Sequence, residues 1–197
     1  MEIERKFLAD PSGLDLSKYR KKEMSQGYVS TDPVIRIRRS NEDYILTVKN
    51  GGLLVREEFE TPLTAEQYAA LSGKVEGIFL SKTRYLIPIR CDAAGVREVT
   101  DVEPDGKDRR MIAETSGGPD RGTEDSVEKA YTIELDIFHG ALDGLIYAEV
   151  EFPTVEEAEQ FTPPSWFLRE VTEDGSYTNA ALSRMTPEEL QAFLDRL

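Results

Sequence analysis

Ionisable side chains recur at a spacing of two residues in one short segment after another. Glu2, Glu4 and Lys6 alternate with Ile3 and Phe7, and Arg36 and Arg38 with Ile35 and Ile37. Lys49 follows Val48; Arg56, Glu58 and Glu60 flank Val55 and Phe59; Lys82 and Arg84 form a further pair. Glu134 and Asp136 alternate with Ile133, Leu135 and Ile137, and Glu149 and Glu151 with Val150 and Phe152. Residues two apart on an extended strand share a face. Eight acids (Glu2, Glu4, Glu58, Glu60, Glu134, Asp136, Glu149, Glu151) and seven bases (Lys6, Arg36, Arg38, Lys49, Arg56, Lys82, Arg84) therefore lie on one side of seven strands. Arg5, between Glu4 and Lys6, is an exception. An ordinary solvated face tolerates Ser, Thr, Asn and Gln as readily as charge, so repeated charged pairs call for another reason. Guanidinium groups grip oxyanions through two parallel hydrogen bonds. Carboxylates hold hard divalent cations. A metal–polyphosphate complex would satisfy both sets.

The elements that must carry these residues are strands. Candidates are 2–8, 26–30, 34–39, 43–49, 54–61, 80–89, 131–138 and 146–153. Turn signals separate them: Asn41-Glu42-Asp43, and Asn50-Gly51-Gly52 between the two arms of a hairpin. Helix starts stand at Thr64, Thr154 and Thr186, with Gln67, Glu157 and Glu189 three residues on. A further short helix is expected over 179–185. Neither repeat nor heptad pattern is present. The fold class is α+β, mainly β: an eight-stranded antiparallel barrel with short flanking helices and its charged face inside. About eight strands enclose space for side chains or one small ligand. Unpaired charge there would be costly, so the lumen needs internal ion pairs or a charged ligand.

At 197 residues and 39% hydrophobic, the chain suits one domain, 1–197. No apolar run nears the roughly 18 residues of a membrane helix. MEIERKFL is too charged for a signal peptide. One cysteine, Cys91, allows no internal disulfide, which suits the cytoplasm. The net charge of −14 disfavours nucleic acid and anionic membranes. The charge is unevenly spread: residues 1–90 carry 15 Lys/Arg against 13 Asp/Glu, leaving the rest strongly acidic. Residues 91–130, rich in Gly, Asp, Glu and Arg, read as a flexible surface insertion with room for a short hairpin.

The ordered series resembles the CYTH family, the triphosphate tunnel metalloenzymes. It opens with E-x-E-x-K (Glu2, Glu4, Lys6) and continues through QGYV at 26–29, RIR at 36–38, LTVK at 46–49 and R-x-E-x-E at 56–60. KTRY at 82–85, ELDIFHGALDGL at 134–145, AEVEF at 148–152 and a closing segment with Tyr177 and Asn179 follow. The resemblance spans nearly everything except 91–130. It implies a β-barrel tunnel that binds a triphosphate with Mg²⁺ or Mn²⁺, and it looks most like the bacterial inorganic triphosphatases. On that footing the seven bases hold phosphate and the eight acids hold metal. Lys82 helps activate water, with Tyr28 or Tyr85 as proton partner. Alternatives are an adenylyl cyclase or a thiamine or nucleoside triphosphatase of the same fold, or a non-catalytic polyphosphate-binding module. The expected partner is a small triphosphate, and a homodimer stays open.

Other residues carry ordinary readings. His139, at a strand end beside Gly140, is expected to be exposed. Trp166 should pack against the barrel exterior, and the acids at 156–159 should form a solvated helix face. GxxxxGK[ST] is absent, which excludes a P-loop enzyme.

Overall fold

A computed structural model describes residues 3–49, 58–92, 95–98 and 129–197. Ten strands form one antiparallel sheet: β1 (Ile3–Ala9), β2 (Arg20–Thr31), β3 (Val34–Ser40), β4 (Asp43–Lys49), β5 (Glu58–Leu63), β6 (Glu76–Asp92), β7 (Gly95–Glu98), β8 (Lys129–His139), β9 (Ile146–Phe152) and β10 (Phe167–Glu170). Nine follow one path, β10-β1-β9-β8-β6-β2-β3-β4-β5, and β7 pairs with the far end of β6. The mainly β, antiparallel expectation holds. The closed eight-stranded ladder does not: among the described residues β5 and β10 are edges, and β10 is a strand that periodicity missed. Four residues are too few for alternation to register.

Among the described residues, register places the charged pairs as period two requires. Glu4 lies opposite Glu151 and Lys6 opposite Glu149 on the β1–β9 ladder. Glu134 lies opposite Glu149, and Arg84 opposite Asp136. The reverse face is apolar. Phe7, Ile87, Ile89, Ile133, Leu135, Val150 and Phe152 form a buried cluster on it, closed by Ala158, Phe161 and Phe167. Trp166 packs against this cluster as expected. Arg5 projects to the same side. It donates to Glu170 and to the carbonyls of Ala158 and Phe161 at the end of α2 (Val155–Gln160), where a cation meets the negative end of the helix dipole.

The charged face is itself layered. Two residues beyond Lys6, Lys82, Asp136 and Glu149, towards one end, the inward positions become Leu8, Leu80, Phe138 and Tyr147, all buried. These pack with Tyr177, Leu182, Leu190 and Phe193 from the C-terminal segment, which holds α3 (Asn179–Ser183) and α4 (Pro187–Leu194). An apolar floor thus closes one end of the lumen. The approach of α3 is tight at Gly77, whose φ is +77° and where an added Cβ would lie 2.0 Å from the Ser183 carbonyl oxygen. Glycine alone tolerates both demands.

The helix starts fall where capping predicts. Thr64 and Thr186 form reciprocal capping boxes with Gln67 and Glu189, opening α1 (Ala65–Ser72) and α4. Thr154 accepts from the Glu157 amide. α3 ends at Ser183, short of the expected Met185, because Arg184 already serves as its C-cap. The 91–130 boundaries also need correction. Cys91 and Asp92 continue β6, Lys129 and Ala130 begin β8, and Gly95–Glu98 forms β7. The remainder of that stretch, 93–94 and 99–128, lies outside the described residues, as does the 50–52 turn.

Candidate active site

Side chains from β1, β2, β3, β4, β5, β6, β8 and β9 meet around one cavity of about 570 Å³. Its lining includes Glu4, Lys6, Tyr28, Arg36, Arg38, Lys49, Glu60, Lys82, Arg84, Glu134 and Glu149. The sheet therefore wraps around a shared lumen, even though among the described residues its hydrogen-bond ladder does not close.

One wall centres on Asp136, which is 0% exposed. Its carboxylate accepts from Arg84 twice, at 2.7 Å from Nε and 2.6 Å from Nη2, and from the Lys82 ammonium. Arg84 also donates to Glu134 and, at 2.8 Å, to Glu149. Lys6 Nζ lies 3.0 Å from Glu149 and above the Tyr147 ring. Burial pulls the Lys82 pKa below its ordinary value, and the Asp136 charge only partly offsets this. Burial works to raise the Asp136 pKa, but Lys82 and Arg84 outweigh it and hold the carboxyl below its usual range. Burial works against the Arg84 charge, yet Asp136, Glu134 and Glu149 hold its pKa well above the ordinary value.

The opposite wall is basic. Arg36 Nη2 donates to Thr47 Oγ1 at 3.0 Å, and Thr47 donates to Glu60 Oε1 at 2.8 Å. Arg36 and Arg38 both reach the same Glu60 oxygen, at 3.5 and 3.4 Å. Tyr28 is buried beside them and accepts from Gln26 Nε2 at 3.3 Å. Burial raises the Tyr28 pKa, although Arg36 and Arg38 work in the opposite direction. Its hydroxyl keeps its proton at neutral pH.

The sequence-derived site is therefore largely assembled, with corrections. Asp136 is not poised as a metal ligand: Lys82 and Arg84 occupy it, deep in the wall. Tyr85 faces away from Lys82 and packs against the apolar outer cluster, because an odd-numbered residue on β6 must point opposite Lys82 and Arg84. His139 is half-buried on that outer side rather than exposed, its Nε2 2.7 Å from Thr83 Oγ1. Glu58 holds the expected register, opposite Lys49. Glu151 is exposed, opposite Glu4. Glu2 and Arg56 lie outside the described residues. Sequence reasoning missed Thr47, Gln26 and the floor residues Thr178 and Ala180. Counting back in twos from Lys49 and Tyr28 would have found the first two.

Oxygen donors suit Mg²⁺ or Mn²⁺. Two carboxylate pairs, Glu4 with Glu151 and Glu134 with Glu149, sit directly opposite one another. Like charges so placed repel, and a divalent cation would relieve them. Among the described residues no three acids are already gathered into a cation site; Arg84 and Lys6 hold Glu134 and Glu149. The donor chemistry fits such an ion.

Residues 1–115 match the CYTH domain family. An inorganic triphosphatase of Nitrosomonas europaea is 32% identical over 191 residues, covering 94% of this chain and 99% of the relative. An inorganic triphosphatase of Acetivibrio thermocellus is 29% identical, covering 92% of each. The crystal structure of an inorganic triphosphatase superposes with a TM-score of 0.58 at 31% identity, covering 95% of this chain and 97% of that one. With the family's domain matched over more than half the chain and its charged lumen in place, this chain belongs to the CYTH family.

Proposed function

We propose that this protein is an inorganic triphosphatase, which hydrolyses a phosphoanhydride bond of tripolyphosphate in its lumen. One observation carries the reading: basic side chains (Lys6, Arg36, Arg38, Lys49, Lys82, Arg84) and acidic ones (Glu4, Glu60, Glu134, Glu149) line a single cavity, and relatives named inorganic triphosphatases align over nearly the full chain. Arg36, Arg38 and Lys49, with Lys6 and Arg84, bind phosphate oxygens and offset the charge that moves to the leaving group. Glu4, Glu134, Glu149, Glu151 and Glu60 are the acids that would hold Mg²⁺ or Mn²⁺. When bound, the cation neutralises phosphate charge and polarises the P–O bond. Water attacks a terminal phosphorus, the bridging P–O bond breaks, and orthophosphate and pyrophosphate leave.

Lys82 is the group we assign to take the proton from water at Nζ. Burial draws its pKa below the ordinary value, so the fraction that has lost its proton, and can accept one, is larger than for an exposed lysine, and Asp136 holds the side chain in place. Tyr28, still protonated, donates a hydrogen bond to a phosphate oxygen or to the attacking water. The apolar floor requires substrate to enter and leave by the other end. No helix among the described residues is long and apolar enough to cross a membrane, and with a single cysteine we place the protein in the cytoplasm.

The test is phosphate release from tripolyphosphate, ATP and thiamine triphosphate in parallel, with Mg²⁺, Mn²⁺ or chelator. Strong, metal-dependent preference for tripolyphosphate is expected. Cyclic AMP from ATP, or binding without turnover, would overturn the assignment.

A further inference from the structure

Tyr147 lies at the floor of the lumen and is 0% exposed. Two ammonium groups approach its ring, Lys6 Nζ at 4.9 Å and Lys82 Nζ at 5.7 Å from the centroid. Its hydroxyl makes a separate contact, donating to Asn179 Oδ1 at 2.9 Å. A phenol has one proton to donate and keeps it at neutral pH, since its ordinary pKa is about 10. Buried away from water, that proton needs an acceptor. An amide accepts only through its oxygen; turned the other way, it would leave the hydroxyl proton without a partner. Tyr147 therefore decides which end of the Asn179 amide is used inside the protein. The nitrogen is left with two hydrogens that no acceptor among the described residues takes, on a residue that lines the cavity. The segment carrying it is anchored. The Tyr177 carbonyl accepts from Lys6 Nζ at 3.5 Å, Arg169 donates to the Tyr177 hydroxyl at 2.7 Å, and Thr178 caps α3.

We propose that Tyr147 is a positioning residue that turns the Asn179 amide so that its NH₂ group faces the lumen and donates to a phosphate oxygen at the floor end of the bound polyphosphate. A neutral donor has a particular use there. Lys6 and Lys82 face Glu149 and Asp136, so part of their charge is answered within the protein. An amide has no net charge for a carboxylate to offset. The inference rests on the triphosphatase reading for its ligand, and adds to it a substrate contact from outside the strands.

Three substitutions separate a donor to substrate from a structural brace. Asn179→Asp keeps an oxygen for the Tyr147 proton but replaces the NH₂ group with a second oxygen. Asn179→Ala removes both. Tyr147→Phe keeps the ring and removes only the hydroxyl. Steady-state kinetics with tripolyphosphate and Mg²⁺, together with thermal unfolding, form the test. In Asn179→Ala the KM should rise about ten-fold, the scale of a hydrogen bond to a charged group, with kcat within about three-fold. Its melting temperature should fall, because the buried hydroxyl loses its acceptor. In Asn179→Asp the KM should rise further, since a carboxylate repels phosphate, while the melting temperature stays at the wild-type value. Tyr147→Phe should raise KM about three-fold alone and add nothing in the Asn179→Ala background, the non-additivity of residues that act as a unit. A wild-type KM in Asn179→Asp would mean a brace only and would overturn the proposal. An undiminished effect of Tyr147→Phe in the Asn179→Ala background would do the same. If wild type binds tripolyphosphate without cleaving it, the functional reading falls instead, and dissociation constants of the same variants for tripolyphosphate with Mg²⁺ decide the role of Asn179 by the same ranking.

Discussion

Replacing Asp136 with Asn removes the charge beneath Lys82 and Arg84 while keeping the side chain's size. Asp136 is 0% and Lys82 is 2% exposed, so solvent cannot replace the lost partner. Breaking a buried pair by deleting one member typically costs about 3–5 kcal/mol. A ceiling follows from the lysine itself, which can escape by losing its proton. Its ordinary pKa is 10.5; at pH 7 full neutralisation costs about 4.8 kcal/mol, at about 1.36 kcal/mol per pH unit. Wild type already carries part of that cost, because burial depresses the Lys82 pKa even with Asp136 present. The expected penalty at pH 7 is therefore about 3 kcal/mol.

The penalty should depend on pH in one direction. Between the depressed folded pKa of Lys82 and its unfolded value, only the unfolded chain holds the proton, so stability rises as pH climbs through that window. Losing Asp136 lowers the folded value further and widens the window. Asp136 stays ionised throughout this range in wild type and adds no slope. Urea unfolding in chelator, wild type against variant, measures this. With a slope of about 2 kcal/mol/M, the midpoint should fall by roughly 1.5 M at pH 7 and by well under about 0.7 M at pH 9.5, where full neutralisation of the lysine costs only about 1.4 kcal/mol and wild type already carries part of it. A penalty under about 1 kcal/mol, or one that grows with pH, would refute the account of Lys82 and Asp136 as a buried, mutually dependent pair.

Tyr28→Phe should cut kcat about ten-fold or more, whereas Tyr85→Phe, on the opposite face of the sheet, should match wild type; equal loss in both would contradict the assignment of faces. Gly77→Ala should loosen the C-terminal floor, since its new methyl group would meet the Ser183 carbonyl at 2.0 Å in a left-handed backbone. Faster hydrogen exchange over 177–194 and a loss of about 2 kcal/mol or more are expected, and unchanged protection would count against tight docking there. Glu151→Gln should slightly raise the unfolding midpoint in chelator, because it relieves repulsion with Glu4, yet lower Mg²⁺-supported turnover. A fall in both would mean the acid serves the fold rather than a cation.

Much of the site was legible one strand at a time. Period-two geometry determines which residues share a face, so the common face of Arg36 with Arg38, of Lys82 with Arg84 and of Glu149 with Glu151 followed from spacing alone, whereas the inward turn of that face did not. Capping chemistry did the same for the helices at Thr64 and Thr186, where a hydroxyl three residues before a Gln or Glu satisfies free amides locally. Tyr85 shows the rule's strength in reverse: parity alone sends it to the outer face. Tertiary structure decided what parity cannot. It determined that Asp136, chemically a fit metal ligand, is consumed by Lys82 and Arg84, because only the packing of β6 against β8 brings them together. It also decided that Thr47 bridges two charges, that the C-terminal helices floor the lumen against Gly77, and that among the described residues the ladder stays open between β5 and β10. Local pattern specifies direction along a strand; which charges become neighbours depends on register and curvature, and those are properties of the assembled sheet.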